Sequence, residues 1–61
     1  MENDEIKRAI REKLRIVYDG STYTAQAWRV TWDDRFKTWR SSLELVQGNT
    51  LVIASAKECR I

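Results

Sequence analysis

Apolar residues at positions 6, 9, 10 and 14 fall on one stripe of a helix, at i, i+3, i+4 and i+8. This spacing predicts an amphipathic helix over residues 3–14. Asn3 or Asp4 is suited to cap its start. Glu2, Asp4 and Glu5 sit at its N-terminal end and Arg11, Lys13 and Arg15 at its C-terminal end, an order that complements the helix dipole. Arg8 and Glu12 are one turn apart, at the spacing of a local ion pair.

The period changes from 3.6 to 2 at Leu14. Leu14, Ile16 and Tyr18 alternate as in a strand, and Asp19-Gly20 is a turn signal. "STYTAQAWRVTW" (residues 21–32) then reads as one long strand whose phase slips midway. Tyr23, Ala25 and Ala27 share one side, whereas Trp28, Val30 and Trp32 share the other. A bulge or bend near Ala27 would bring both sets onto one core, and two buried faces are the alternative. "DDRFK" is a polar connection. "TWRSSLELV" reads as a third strand with Trp39, Ser41, Leu43 and Leu45 in phase. Gln47-Gly48-Asn49 forms the next turn. "TLVIASA" is apolar on both faces, the pattern of a central or helix-covered strand, and "KECRI" is either a short fifth strand or a frayed end.

These elements predict a single α+β domain over residues 1–61: an N-terminal helix (3–14), then a small, strongly bent antiparallel sheet of four to five strands (15–61). Closure into an SH3-like or Sm-like barrel would remove the exposed strand edges. An open meander with the helix across one face is the other arrangement.

Length sharpens the problem of stability. A chain of 61 residues buries only about 60% of the surface its unfolded form exposes. Cys59 is the lone cysteine and histidine is absent, so neither an internal disulfide nor a Cys/His zinc site can staple the fold. Stabilisation then falls to large side chains, to a partner, or to both. Three Trp, two Tyr and one Phe suit the first role.

Eleven basic and nine acidic residues leave a net charge of +2, short of the basic footprint of an obligate nucleic-acid binder. The lone Cys and the lack of an apolar leader point to the cytoplasm. No stretch reaches the roughly 20 apolar residues of a membrane span.

Catalytic chemistry is poorly provided for. Without His there is no imidazole base and no Ser-His or Cys-His pair. Cys59 has Lys57 and Arg60 near it in sequence but reads as a small semi-buried hydrophobe. Asp33-Asp34 reads as a solvated turn former rather than a cation site. Gly20 and Gly48 are isolated, so no glycine-rich phosphate loop is formed. The expectation is a non-enzyme without metal or cofactor.

The stretch "WRVTWDDRFKTWR" (residues 28–40) holds every Trp and the only Phe. It admits two readings. As a binding face, Trp28, Trp32, Phe36 or Trp39 would stack on bases while Arg29, Arg35, Lys37 and Arg40 contact phosphates. As core, Trp28, Val30 and Trp32 form an inward strand face, and Trp39 points with Leu43 and Leu45. The core reading expects at least two of the three Trp to be buried, and Trp39→Ala to loosen the domain. Phe36, in the polar connection, and then Trp28 are the favoured contact residues, with Arg35 and Arg29 beside them. The cations Lys7, Arg8, Arg11, Lys13 and Arg15 read as a solvated helix face.

"AIREKLRIVYDG", then "WRV", then a closing "CRI" resembles the WYL domain of bacterial regulators. Ile16-Val17-Tyr18, Arg29-Val30 and Arg60-Ile61 match that pattern in order, over residues 9–61. The Trp-Tyr-Leu triplet is absent, Thr31-Trp32 replace the proline usual after the Arg-Val strand, and no helix-turn-helix is present. The resemblance implies an SH3-like or Sm-like barrel. It also implies ligand sensing or nucleic-acid contact, with Arg29, Arg40 and Arg60 as anionic-ligand residues.

Two functions follow as expectations. One is a non-catalytic module that binds nucleic acid or nucleotides through an aromatic and basic strand face. The other is a protein–protein module or homodimer that buries the two-faced apolar strands 2 and 4. Small size and 43% hydrophobic content favour the second on stability grounds.

Overall fold

The computed structural model describes residues 1–61. Helix α1 runs Asn3–Glu12, with Ile6 and Ala9 fully buried on its apolar stripe. It starts one residue earlier than the capping signal suggests. Glu2 is the N-cap, with no side-chain capping bond, and its carbonyl accepts the Ile6 N–H at 3.0 Å. It ends two residues early, where Lys13 takes a left-handed conformation (φ 54°) and the Leu14 N–H returns to the Ala9 carbonyl at 3.0 Å. Arg8 and Glu12 form the anticipated pair at 3.5 Å.

Four strands follow: β1 (Ile16–Tyr18), β2 (Ser21–Asp33), β3 (Thr38–Gln47) and β4 (Thr50–Ser55). All pair antiparallel in chain order β1-β2-β3-β4. The first hairpin turns on Asp19 and Gly20, both at positive φ, as a type I′ turn requires. Between Ala25 and Ala27 the β2–β3 register shifts, so Gln26 is an extra residue on β2. This bulge is the predicted device. Ala25 opposes Leu45 and Trp28 opposes Leu43, so the two phases of β2 face one side. The sheet curls there into a half-barrel, an α+β small-barrel-like fold.

"KECRI" is not a regular fifth strand. Ala56–Glu58 make one 3₁₀ turn (η1) that carries the chain back to β1. Arg60 then pairs with Val17 through two backbone hydrogen bonds of 2.7 and 3.1 Å, occupying the outer edge of β1.

The core is made of small aliphatic side chains. Ile6, Ala9, Ile16, Ala25, Leu43, Leu45, Ala54, Ala56 and Cys59 are buried, and no aromatic residue is among them. This corrects the expectation that at least two Trp fill the interior. Tyr18, Tyr23 and Trp28 pack at its margin. The Cys59 thiol donates to the Ser55 carbonyl at 3.4 Å, and its burial raises the thiol pKa.

β4 is also corrected. It is an edge strand, paired only with β3. Its inner side, Val52 and Ala54, meets the core, while Leu51 and Ile53 lie outward, each 54% exposed.

Leu43→Ala is expected to destabilise the domain by about 2–5 kcal/mol, because the site is fully buried and the neighbouring alanines cannot collapse into the gap. Urea denaturation measures this. In the native protein Cys59 should resist a thiol reagent and react only at the rate of unfolding. Prompt labelling would show that Cys59 is not in the core.

A candidate interaction surface on the β2–β3 arm

A helix of ten residues is about 15 Å long. A strand of thirteen residues spans about 43 Å before bending. α1 therefore covers only part of β2. β1 pairs with Ser21–Tyr23 alone, and β4 stops at the Ser42 position of β3. Residues 29–41 are left as a two-stranded arm with no third strand beside it. The principal extent of 34 Å along one axis, against 17 Å along the shortest, reflects this projection.

Phase was read correctly along the arm, but depth was not. Trp28, Val30 and Trp32 on β2 oppose Leu43, Ser41 and Trp39 on β3, so all continue the inner face. Only Met1 and Glu2, at the start of α1, approach that face, beside Trp39 and Ser41. Trp32 is 49% exposed, Val30 is as open, and Trp39 is 66% exposed. Trp39 is thus not a core residue. Trp28, preferred as a contact residue, is instead the best covered of the three. It packs against the core, and its buried indole N–H has no acceptor in the chain.

Trp32 and Trp39 are direct cross-strand partners and meet edge to face, with ring centroids 5.3 Å apart at 68°. Such a pair contributes about 0.5–1.5 kcal/mol to the arm. The remaining open area of Trp32, Trp39 and Val30 comes to roughly 300 Å², the lower end of the largest apolar patch on a typical monomer.

The other face of the arm is charged but internally compensated. Arg29 donates to Glu44 (2.9 and 3.1 Å), Lys37 to Asp34 (3.0 Å), and Arg40 to Asp33. Arg35 alone among the arm's cations lacks an acidic partner. Asp33 also accepts the backbone N–H groups of Arg35 and Phe36 through Oδ1 and so shapes the turn. Phe36 is 62% exposed at the tip, as expected, with the Arg40 and Arg35 guanidiniums 5.1 and 5.8 Å from its ring centroid.

The predicted residues are therefore divided. Arg35, Phe36 and Arg40 come together, Arg29 and Lys37 are each tied to a carboxylate, and Trp28 lies on the opposite face. Arg60 is on the far edge, beside β1. Val30, Trp32 and Trp39 were missed as one exposed face. Only a comparison of helix length with strand length would have marked them.

Trp39→Ala is expected to cost about 1 kcal/mol or less, against several for Leu43→Ala, and Phe36→Ala to stay within about 1 kcal/mol. Paired denaturation curves measure both. The Arg40 hydrogen bond, followed by the Phe36 backbone bond, holds the Asp33 carboxyl below its ordinary pKa. Its folded pKa is thus lower than its unfolded one. The bond stabilises the arm at neutral pH and is lost as pH falls through the folded value. Carboxyl NMR shifts should show Asp33 titrating below an unstructured Asp, and Arg40→Ala should move it part of the way back, since the Phe36 and Arg35 backbone bonds to Oδ1 remain.

Comparison with protein-family models, with curated proteins and with solved structures finds no match to this chain.

Proposed function

We propose that the chain is a non-catalytic protein-interaction module whose contact face is the inner side of the β2–β3 arm. The observation that carries this reading is the Trp32–Trp39 pair, open to solvent on a face that elsewhere forms the core. Tryptophan is enriched among residues that dominate binding energy at protein interfaces, because it buries a large rigid surface at small entropic cost. The partner implied is a protein segment offering apolar anchor side chains.

The compensated outer face supports the same choice. With Arg29, Lys37 and Arg40 each held by a carboxylate, phosphate binding there would have to break pairs already made. Nucleic-acid binding is a second reading, favoured by the exposed Phe36 ring beside Arg35 and Arg40. It gains from Lys13 and Arg15, which line an open groove with Tyr23 near the helix end and have no acidic partner.

Selection from a displayed random-peptide library tests the proposal. The wild-type chain should enrich peptides with aromatic or aliphatic anchors, and affinity should be nearly independent of salt. Trp39→Ser should weaken the selected peptides by about 30-fold, the scale of an interface hot spot. A parallel titration with pooled short DNA and RNA decides the alternative. Tryptophan quenching at about 50 mM salt that is reversed near 200 mM would overturn the protein-binding reading.

A further inference from the structure

β4 carries an open backbone edge whose sequence offers no protection. Thr50–Ser55 contains no charged residue and no proline, and its pairing with β3 runs without a bulge. Natural edge strands usually carry at least one of these devices, which prevent edge-to-edge association. The direction of the free groups follows from the turn. Gly48 and Asn49 form a two-residue loop with Gly48 at φ 58°, so Gln47 and Thr50 are its closing hydrogen-bonded pair. Backbone groups alternate along a strand, so the N–H and C=O of Leu51 and Ile53 point to the free edge.

From this edge we infer that two copies of the chain associate through β4, antiparallel about a two-fold axis at Val52, to form one continuous eight-stranded sheet. In that register Leu51 of each copy opposes Ile53 of the other, and Val52 opposes Val52. Both pairs through Leu51 and Ile53 are hydrogen-bonded pairs, adding about four backbone hydrogen bonds. Side chains match on both faces. Leu51 and Ile53 of the two copies form an apolar row on the outer side, with Val46 beside Leu51 and Glu44, paired to Arg29, beside Ile53. A shift of the axis to Ile53 would set Leu51 against Ser55.

Surface area and charge favour a second copy as the occupant. The chain exposes 4627 Å², whereas a folded monomer of 7.2 kDa should expose about 4100 Å². The surplus of about 500 Å² per chain is shared between the open arm and the β4 edge, so pairing through β4 alone buries less than the roughly 1,200 Å² of standard specific interfaces and belongs to the weak class. An uncharged strand meets its own copy without like-charge repulsion, so the same six residues serve both sides. The predicted dimer is weak and dissociates on dilution.

Sedimentation equilibrium is the first test. Apparent mass should rise with concentration from 7.2 kDa toward twice that value. Leu51→Lys with Ile53→Lys should hold the chain at monomer mass with an unchanged tryptophan spectrum, since both side chains are exposed. Register is read by mild oxidation. A mixture of Leu51→Cys and Ile53→Cys chains should cross-link, and neither variant should cross-link with itself. The proposal is overturned by a monomer mass at several hundred micromolar protein, or by self-cross-linking of Ile53→Cys. Trp39→Ser keeps β4 intact, so it should weaken peptide binding by about 30-fold and leave association unchanged. Association lost in Trp39→Ser but kept in the double-lysine variant would place the contact on the arm and refute pairing through β4.

Discussion

One short helix has to cover a sheet that is longer than itself, and the rest of the molecule follows from this mismatch. α1 buries Ile6 and Ala9 against Ile16, Ala25, Leu43 and Leu45. Its ten residues end before β2 is half covered. Where helix and sheet overlap, the inner face is core. Where they do not, the same face with the same alternation is surface. Trp28 stands at the boundary, and Trp32 and Trp39 lie beyond it. The arm is an uncovered extension of the core, which is why its side chains are core-like in type and exposed in fact.

The bulge at Gln26 makes the covered part possible. Without the extra residue, Tyr23 and Ala25 would face away from Trp28 and Val30, and one half of β2 would present its apolar set to water. The bulge rotates the strand by one position and bends the sheet around α1. The space enclosed is narrow, and it is filled by Ala9, Ala25, Ala54 and Ala56 between a few Ile and Leu side chains. Indole rings do not fit in such a space. The aromatic residues are accordingly expelled to the margin and the arm. Excluding these large side chains leaves a small core in a domain that is marginal by size alone.

The sequence showed element order, phase and bulge because each has a local signature. The 3.6 period of α1, the Asp19-Gly20 and Gly48-Asn49 turns, and the slip of alternation at Ala27 all lie within a few residues. Exposure of Trp39 depends on how far a distant helix reaches along the sheet. The end of α1 nearest the arm is its N-terminal one, where Met1 and Glu2 come beside Trp39 and Ser41, and nothing in the local sequence marks that placement. β4 was misjudged for a related reason. Apolar residues on both faces usually mark a strand covered on both sides, yet here one side faces outward and the strand is last in the sheet. Among the charged residues, positions alone placed Arg29 and Arg40 near aromatics. Their partners Glu44 and Asp33 follow from the β2–β3 register, which no spacing along one strand reveals.

Arm and edge are independent in physical terms. The arm exposes side chains over a hydrogen-bonded hairpin, whereas the β4 edge exposes backbone groups beneath ordinary aliphatic residues. Contact with the first depends on shape and apolar area. Contact with the second depends on strand alignment and is indifferent to the arm's aromatics. The proposed two-fold at Val52 lies on the edge of β3 and β4 away from the hairpin tip, so pairing there would leave both arms open. Two apolar faces on one rigid sheet would engage a repeated or dimeric partner with an effective concentration set by the sheet rather than by a linker. Avidity of that kind can exceed the affinity of either arm by about 10²–10⁴ without a new contact. On these proposals a small face of roughly 300 Å² would hold its partner through the assembly, which would supply what one arm lacks.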